Sequence, residues 1–86
     1  MKIELYSTDY CPFCVRAKQL LVRSGLGDFE EIKVDRDPIQ RLKMIERSGR
    51  RSVPQIFIDG RHVGGFDDLA ALHRAGGLVA AVPAQG

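Results

Sequence analysis

The chain has only two cysteines, Cys11 and Cys14, only two histidines, and no excess of one charge: thirteen Lys and Arg stand against eleven Asp and Glu, a net +2. Each shortage excludes something. So balanced a charge gives no default attraction to nucleic acid or to a membrane surface. No apolar run approaches the roughly 20 residues of a membrane span, and there is no internal repeat or low-complexity stretch. Met1-Lys2 leads into alternating Ile3, Glu4 and Leu5, not into the apolar core of a secretory signal, so a cytoplasmic location is expected. His62 and His73 are separated by a predicted turn and helix, which leaves any zinc set built on the cysteines incomplete; no metal site is expected. Residues 1–86 read as one domain, able to bury about two-thirds of its unfolded-chain surface.

What is present is concentrated in Cys11-Pro12-Phe13-Cys14, where a strand pattern gives way to a helical one. Proline is favoured at the first helical position, which puts Cys11 at the N-cap. The unpaired N–H groups of Phe13 and Cys14 then point toward its sulfur, and the helix dipole favours a thiolate there. Cys14 lies one turn deeper, with its Cβ about 5–6 Å away and within a small adjustment of the roughly 4 Å that a disulfide needs. A bridge over so short a loop removes little unfolded-chain entropy, which weakens a purely structural reading. In a reducing compartment such a pair is catalytic or metal-binding. The motif reads as a thiol–disulfide exchange centre in which one sulfur attacks and the other can resolve.

The remaining pattern is clearly punctuated. Lys2 to Tyr6 alternates as a strand, and Pro12 to Ser24 carries Cys14, Ala17, Leu20 and Leu21 on one helical face before Gly25. Phe29 to Val34 is a second strand, joined through that helix and therefore parallel to the first. Asp37 caps a helix opened by Pro38, with Ile39, Leu42 and Ile45 as its apolar face and Gly49 as its stop. Gln55 to Ile58 and Arg61 to Val63 form a hairpin across Asp59-Gly60. Asp67 or Asp68 caps a last helix with Leu69 and Leu72 inward, ended by Gly76-Gly77. The tail, residues 79–86 with Pro83, packs for a turn at most and then frays. The order βαβ-α-ββ-α gives an α/β protein with a mixed four-stranded sheet flanked by about three helices on both faces.

Cys11-Pro12-Phe13-Cys14, Ser52-Val53-Pro54-Gln55-Ile56-Phe57-Ile58 and Gly64-Gly65-Phe66-Asp67-Asp68-Leu69, in that order and spacing, resemble a dithiol glutaredoxin. The match runs from Ile3 to Leu78. The resemblance implies a thioredoxin-like fold, a redox-active Cys11–Cys14 disulfide and no tightly bound cofactor. It also implies glutathione as the reductant and as half of the preferred mixed-disulfide substrate. Read alone, Pro54 simply begins a strand; the resemblance implies a cis Val53-Pro54 bond, leaving the backbone of Val53 beside Cys11 for an extended peptide to pair with. Gly64-Gly65 allow a tight turn. The helix start at Phe66, Asp67 and Asp68 then suits the γ-glutamyl carboxylate, with an Asp for its ammonium; without a ligand the same residues are only caps. The implied glutathione pocket is Phe13, Arg41, Val53, Pro54, Gly65, Phe66, Asp67 and Asp68, with Arg41 directed at the glycine carboxylate. Lys43, Arg47, Arg50 and Arg51 read as a mostly solvated face. The implied partners are glutathione and glutathionylated or disulfide-containing proteins, ribonucleotide reductase being one candidate, and the implied state is a monomer.

Three residues depart from that family. Thr8 stands where a lysine is common, Phe13 replaces a tyrosine, and Phe66 takes a position often held by a further cysteine. The lost lysine makes Cys11 less acidic than its relatives' nucleophile. Lowering a thiol from about 8.5 to about 5 raises its thiolate fraction at pH 7 roughly thirtyfold, while a Brønsted slope of about 0.4–0.5 lowers nucleophilicity by about 25- to 60-fold. These nearly cancel, so acidity mainly improves the leaving group and positioning must supply specificity. Two other functions stay open: an electron donor reduced by a thioredoxin reductase, and a glutathione-ligated iron–sulfur carrier.

Overall fold

A computed structural model describes residues 1–80. Its chain order is β1 (Ile3–Ser7), α1 (Pro12–Arg23), β2 (Glu30–Lys33), α2 (Pro38–Ser48), β3 (Gln55–Ile58), β4 (Arg61–Gly64), α3 (Phe66–Arg74) and α4 (Gly77–Ala80). The expected strands and helices are all present, with ends moved by a residue or so, as hydrogen-bond assignment allows. The strands form one mixed sheet in the order β2-β1-β3-β4. β1 pairs parallel with β2 (Leu5 opposite Glu31) and antiparallel with β3 (Leu5 opposite Ile56). β3 pairs antiparallel with β4. The hairpin turns at Asp59 and Gly60, both at positive φ (51° and 80°), the conformation that a two-residue turn needs to match strand twist.

Alternation along the strands divides the core in two. Ile3, Leu5 and Ile56 cluster with Ala17, Leu20 and Leu21 of α1, Leu69 of α3 and Leu78 of α4. On the other face Tyr6 and Phe57, their rings edge to face at 5.8 Å, cluster with Val34 and Met44 of α2. The buried stripe of α1 is Cys14, Ala17, Leu20 and Leu21, as the 3.6-residue period predicts. Cys14 is therefore held by the core, while Cys11 sits where the helix meets solvent.

Helix α2 corrects one expectation. Ile39 and Leu42 are each 67% exposed, Ile45 is only half-buried, and Met44 is the fully buried residue. The helix packs on the sheet through Met44, which clusters with Tyr6 and Phe57, with Ile45 packed against that cluster. With Met44 as its one fully buried residue, the helix has no buried apolar stripe for a count to find. Arg47, although exposed, is not a free surface cation. Its guanidinium donates to both Glu4 carboxylate oxygens (3.2 and 3.0 Å) and to the Tyr6 hydroxyl (2.8 Å), and lies 4.0 Å from the Phe57 ring centre.

At α3 the capping residue is Gly65, not Asp67 or Asp68. β4 runs as far as Gly64, so the helix starts directly after it and Asp68 falls at the third helical position. From there its carboxylate reaches back to accept the Gly65 N–H at 3.0 Å, the reciprocal half of a capping box. Leu69 is buried and Leu72 half-buried. The tail makes its single turn as α4, with Leu78 in the core; the expected fraying, with Pro83, concerns residues 81–86, outside the described residues.

Candidate functional site

Pro12 occupies the first position of α1, and Cys11 is its N-cap, with φ −135° and ψ 99°. The first helical bond runs from the Val15 N–H to the Cys11 carbonyl at 3.1 Å. The Cys14 N–H donates to the Cys11 sulfur at 3.1 Å, so the nucleophile candidate caps its own helix. Of the two N–H groups expected there, only that of Cys14 makes this bond; the Phe13 N–H does not. The two sulfurs are joined as a disulfide, with Cα atoms 5.2 Å apart. Cys14 is 1% exposed and Cys11 is partly exposed, which leaves the first cysteine as the one an external disulfide can reach.

The loop before Cys11 is anchored to the far end of β2. Asp9 accepts two hydrogen bonds from Arg36 (2.9 and 2.8 Å) and pairs with Lys33 (3.1 Å), and its N–H donates to Asp35. These donors, Arg36 foremost, hold the Asp9 carboxyl below the usual carboxylate range. Beneath it Glu31 collects Lys18 (2.9 Å), Lys33 (3.3 Å) and the buried Ser7 hydroxyl (2.6 Å).

Opposite the cysteines, Val53-Pro54 is cis, and the Val53 carbonyl oxygen lies 3.8 Å from the Cys11 sulfur. A groove of about 220 Å³ opens beside this contact. Phe13, Val53, Pro54, Gly65, Phe66, Asp67 and Asp68 all line it, which brings the sequence-derived pocket together with one exception. Arg41 does not line the groove; it is exposed on α2. The groove also takes in three residues the sequence reading did not assign to it, Arg50, Ser52 and Gln55. Ser52 could have been found as the neighbour of Val53, whereas nothing local marks Arg50.

The groove has an aromatic side and a charged side. The Phe13 and Phe66 rings lie 6.2 Å apart, and Arg16 stands 5.3 Å over Phe13. On the charged side Asp68 accepts from Gly65 N–H and from Arg50 Nη1 (3.1 Å). The Gly65 N–H first, and Arg50 second, hold the Asp68 carboxyl below its ordinary range. Asp67 is exposed. Gly64, at φ +125°, is required here: a Cβ would collide with the Asp68 carboxylate. Behind the groove Gln55 is 1% exposed. It donates to the Ser52 carbonyl (3.0 Å) and hydroxyl (3.3 Å), and its oxygen lies 2.7 Å from His62 Nε2. Since that oxygen can only accept, His62 carries its proton on Nε2, and the chain His62–Gln55–Ser52 braces the loop that enters the cis bond. No group of three His, Cys, Asp or Glu side chains that could hold a metal ion occurs among the described residues.

A partly exposed cysteine that caps its helix, paired with a buried one next to a cis-proline loop, defines a thiol–disulfide exchange centre on a thioredoxin-like frame. The glutaredoxin family model matches residues 3–63. Glutaredoxin 3 of Escherichia coli K12 is 51% identical over 76 residues, covering 88% of this chain and 90% of that protein. Among solved structures, the solution structure of glutaredoxin from Brucella melitensis has a TM-score of 0.80 at 48% identity, covering 93% of this chain and 86% of that one. The buckwheat glutaredoxin–glutathione complex has a TM-score of 0.84 at 31% identity, covering 94% and 76%. The chain belongs to the glutaredoxin family, and its Cys11–Cys14 pair makes it a thiol–disulfide oxidoreductase. No helix among the described residues is long and apolar enough to cross a membrane.

Proposed function

We propose that this oxidoreductase is glutathione-dependent, reducing glutathione mixed disulfides and protein disulfides. The observation that carries the reading is the groove that opens beside Cys11, with Phe13, Val53 and Pro54 on one part of its wall and the start of α3 on another. In the proposed cycle the Cys11 thiolate attacks the glutathione sulfur of a mixed disulfide. That S–S bond breaks, the client leaves as a thiolate, and glutathione is left disulfide-bonded to Cys11. A second glutathione thiolate attacks its sulfur, forming glutathione disulfide and returning Cys11 as thiolate. With an ordinary protein disulfide, Cys14 attacks the mixed disulfide on Cys11 instead, closing the Cys11–Cys14 bond that two glutathiones then reduce.

The tripeptide fits by its chemistry. Its extended backbone can pair with the N–H and C=O of Val53. The α3 start offers N–H groups to the γ-glutamyl carboxylate, with the exposed Asp67 for the ammonium. Arg41, on the neighbouring helix, is proposed for the glycine carboxylate, where an exposed pair contributes at most about 1 kcal/mol. The clients would be glutathionylated or disulfide-bonded proteins, ribonucleotide reductase being one candidate, met by a monomer in a reducing cytoplasm.

The test is the rate of glutathione-dependent reduction of a small glutathionylated disulfide. Cys14→Ser should retain this reaction and lose most dithiol-dependent protein reduction, and Cys11→Ser should lose both. Loss of both in Cys14→Ser, substantial activity in Cys11→Ser, or turnover that needs thioredoxin reductase in place of glutathione would each sink the scheme.

A further inference from the structure

Arg50 is the one cationic side chain among the described residues lining the groove, and it is held at both ends. Its backbone is tied to the end of α2: the Arg50 N–H donates to Ser48 Oγ at 3.0 Å, and the single Ser48 hydroxyl proton donates to the Met44 carbonyl at 2.6 Å, with the Arg50 carbonyl 3.1 Å away. Its guanidinium is tied to the start of α3 through the single 3.1 Å bond from Nη1 to Asp68. A guanidinium has five N–H donors in a fixed fork. Asp68 uses one, the side chain is about half exposed (49%), and Arg50 lines the groove.

The charge pattern at this end of the groove is that of a receptor for a zwitterion. Asp67 and Asp68 together would repel any carboxylate approaching the helix start. Arg50 compensates Asp68, whose Oδ2 already takes both Arg50 and the Gly65 N–H. That leaves Asp67 to receive a cation, and Arg50 with the α3 N–H groups to receive an anion. The γ-glutamyl end of glutathione carries an α-ammonium and an α-carboxylate on one carbon. We propose that Arg50 selects this end by donating to its α-carboxylate while Asp67 takes the α-ammonium, an assignment that rests on the glutathione reading above. Because Ser48 and Asp68 hold Arg50 before any ligand arrives, little side-chain freedom is lost on binding.

The experiment compares mixed disulfides of one peptide with three tripeptides: glutathione, glutaryl-cysteinyl-glycine, which lacks the ammonium, and γ-aminobutanoyl-cysteinyl-glycine, which lacks the carboxylate. A half-exposed ion pair is worth about 1 kcal/mol at most, so Arg50→Gln should raise KM about three- to fivefold for the two substrates that keep the carboxylate. For the third the change should stay below about twofold. Arg50→Lys should restore much of the loss, and the effect should fall on KM more than on kcat. An equal KM rise for all three would show a general or structural role and overturn the proposal, as would no change for any. The two readings fail differently. Wild-type protein indifferent to glutathione defeats the glutathione reading and this assignment with it; a glutathione-selective wild type with an unaltered Arg50→Gln variant defeats this assignment alone.

Discussion

Arg47→Ala should be among the most damaging single changes outside the cysteines, although the residue sits in a basic stretch of a helix. Three losses combine. The Tyr6 hydroxyl, on a residue 2% exposed, loses its 2.8 Å donor, and an orphaned buried polar group costs about 1–3 kcal/mol. The bidentate pair with Glu4 disappears; with side chains 30% and 13% exposed it is partly screened and worth about 1 kcal/mol. The guanidinium 4.0 Å from the Phe57 ring centre adds about 0.5–1 kcal/mol. The losses share atoms and do not sum fully, so about 2–3 kcal/mol is expected. In a domain of this size that lowers the melting temperature by about 10–20 °C, measured by circular dichroism on oxidised protein. Tyr6→Phe supplies the control. It should destabilise the wild type, and it should be neutral or stabilising once Arg47 is alanine, because it then removes the orphaned hydroxyl. A drop of less than about 3 °C, or additive effects of the two changes, would refute this account and make Arg47 an ordinary surface cation.

Two further predictions test other parts of the fold. Met44→Ala should destabilise by about 2–5 kcal/mol, whereas Ile39→Lys and Leu42→Lys should each change stability by less than about 0.5 kcal/mol; urea midpoints that reverse this order would contradict the placement of α2. At Glu31, burial is the largest influence and pushes the carboxyl up, but Ser7, Lys18 and Lys33 together outweigh it and bring it down; Asp9 and Asp68 are lowered as well. Their stabilisation is therefore complete above the unfolded carboxylate range near pH 4 and is lost as pH falls through the lower folded values. His62, lowered by burial first and by Arg50 next, adds a shallower loss as pH falls through about 6.5. Melting temperature should thus decline gently from pH 7 to 5 and steeply below 4, with a smaller acid slope in Glu31→Gln; an unchanged slope in that variant would count against the cluster.

How much of this was legible beforehand depended on whether the deciding interaction was local. Pro12 puts Cys11 at the helix N-cap through steric and hydrogen-bond rules spanning three residues, and Asp59-Gly60 dictates its turn within two. The α1 stripe was legible because its buried side is purely apolar. On α2 only Met44 is fully buried, and the helix is fastened by Arg47 to Glu4, 43 positions away. Composition therefore pointed to Ile39 and Leu42, which the sheet never covers. Asp67 and Asp68 look equivalent as neighbours in sequence, yet one turn of helix geometry sends the Asp68 carboxylate back to Gly65 and toward Arg50, and leaves Asp67 outward.

The same contrast explains the distribution of chemistry in the site. The capped position of the Cys11 sulfur depends on short-range rules, so it is independent of the Thr8 departure: the helix start and the Cys14 N–H are set by Pro12 and its neighbours. The groove depends on three segments meeting, at Phe13, at Ser52 to Gln55 and at Gly65 to Asp68. Since gains in thiolate fraction and losses in nucleophilicity nearly cancel for attack, discrimination between disulfides has to come from that meeting. Substitutions along the groove should therefore act mainly on which disulfide is chosen, and substitution of Cys11 on whether exchange occurs at all.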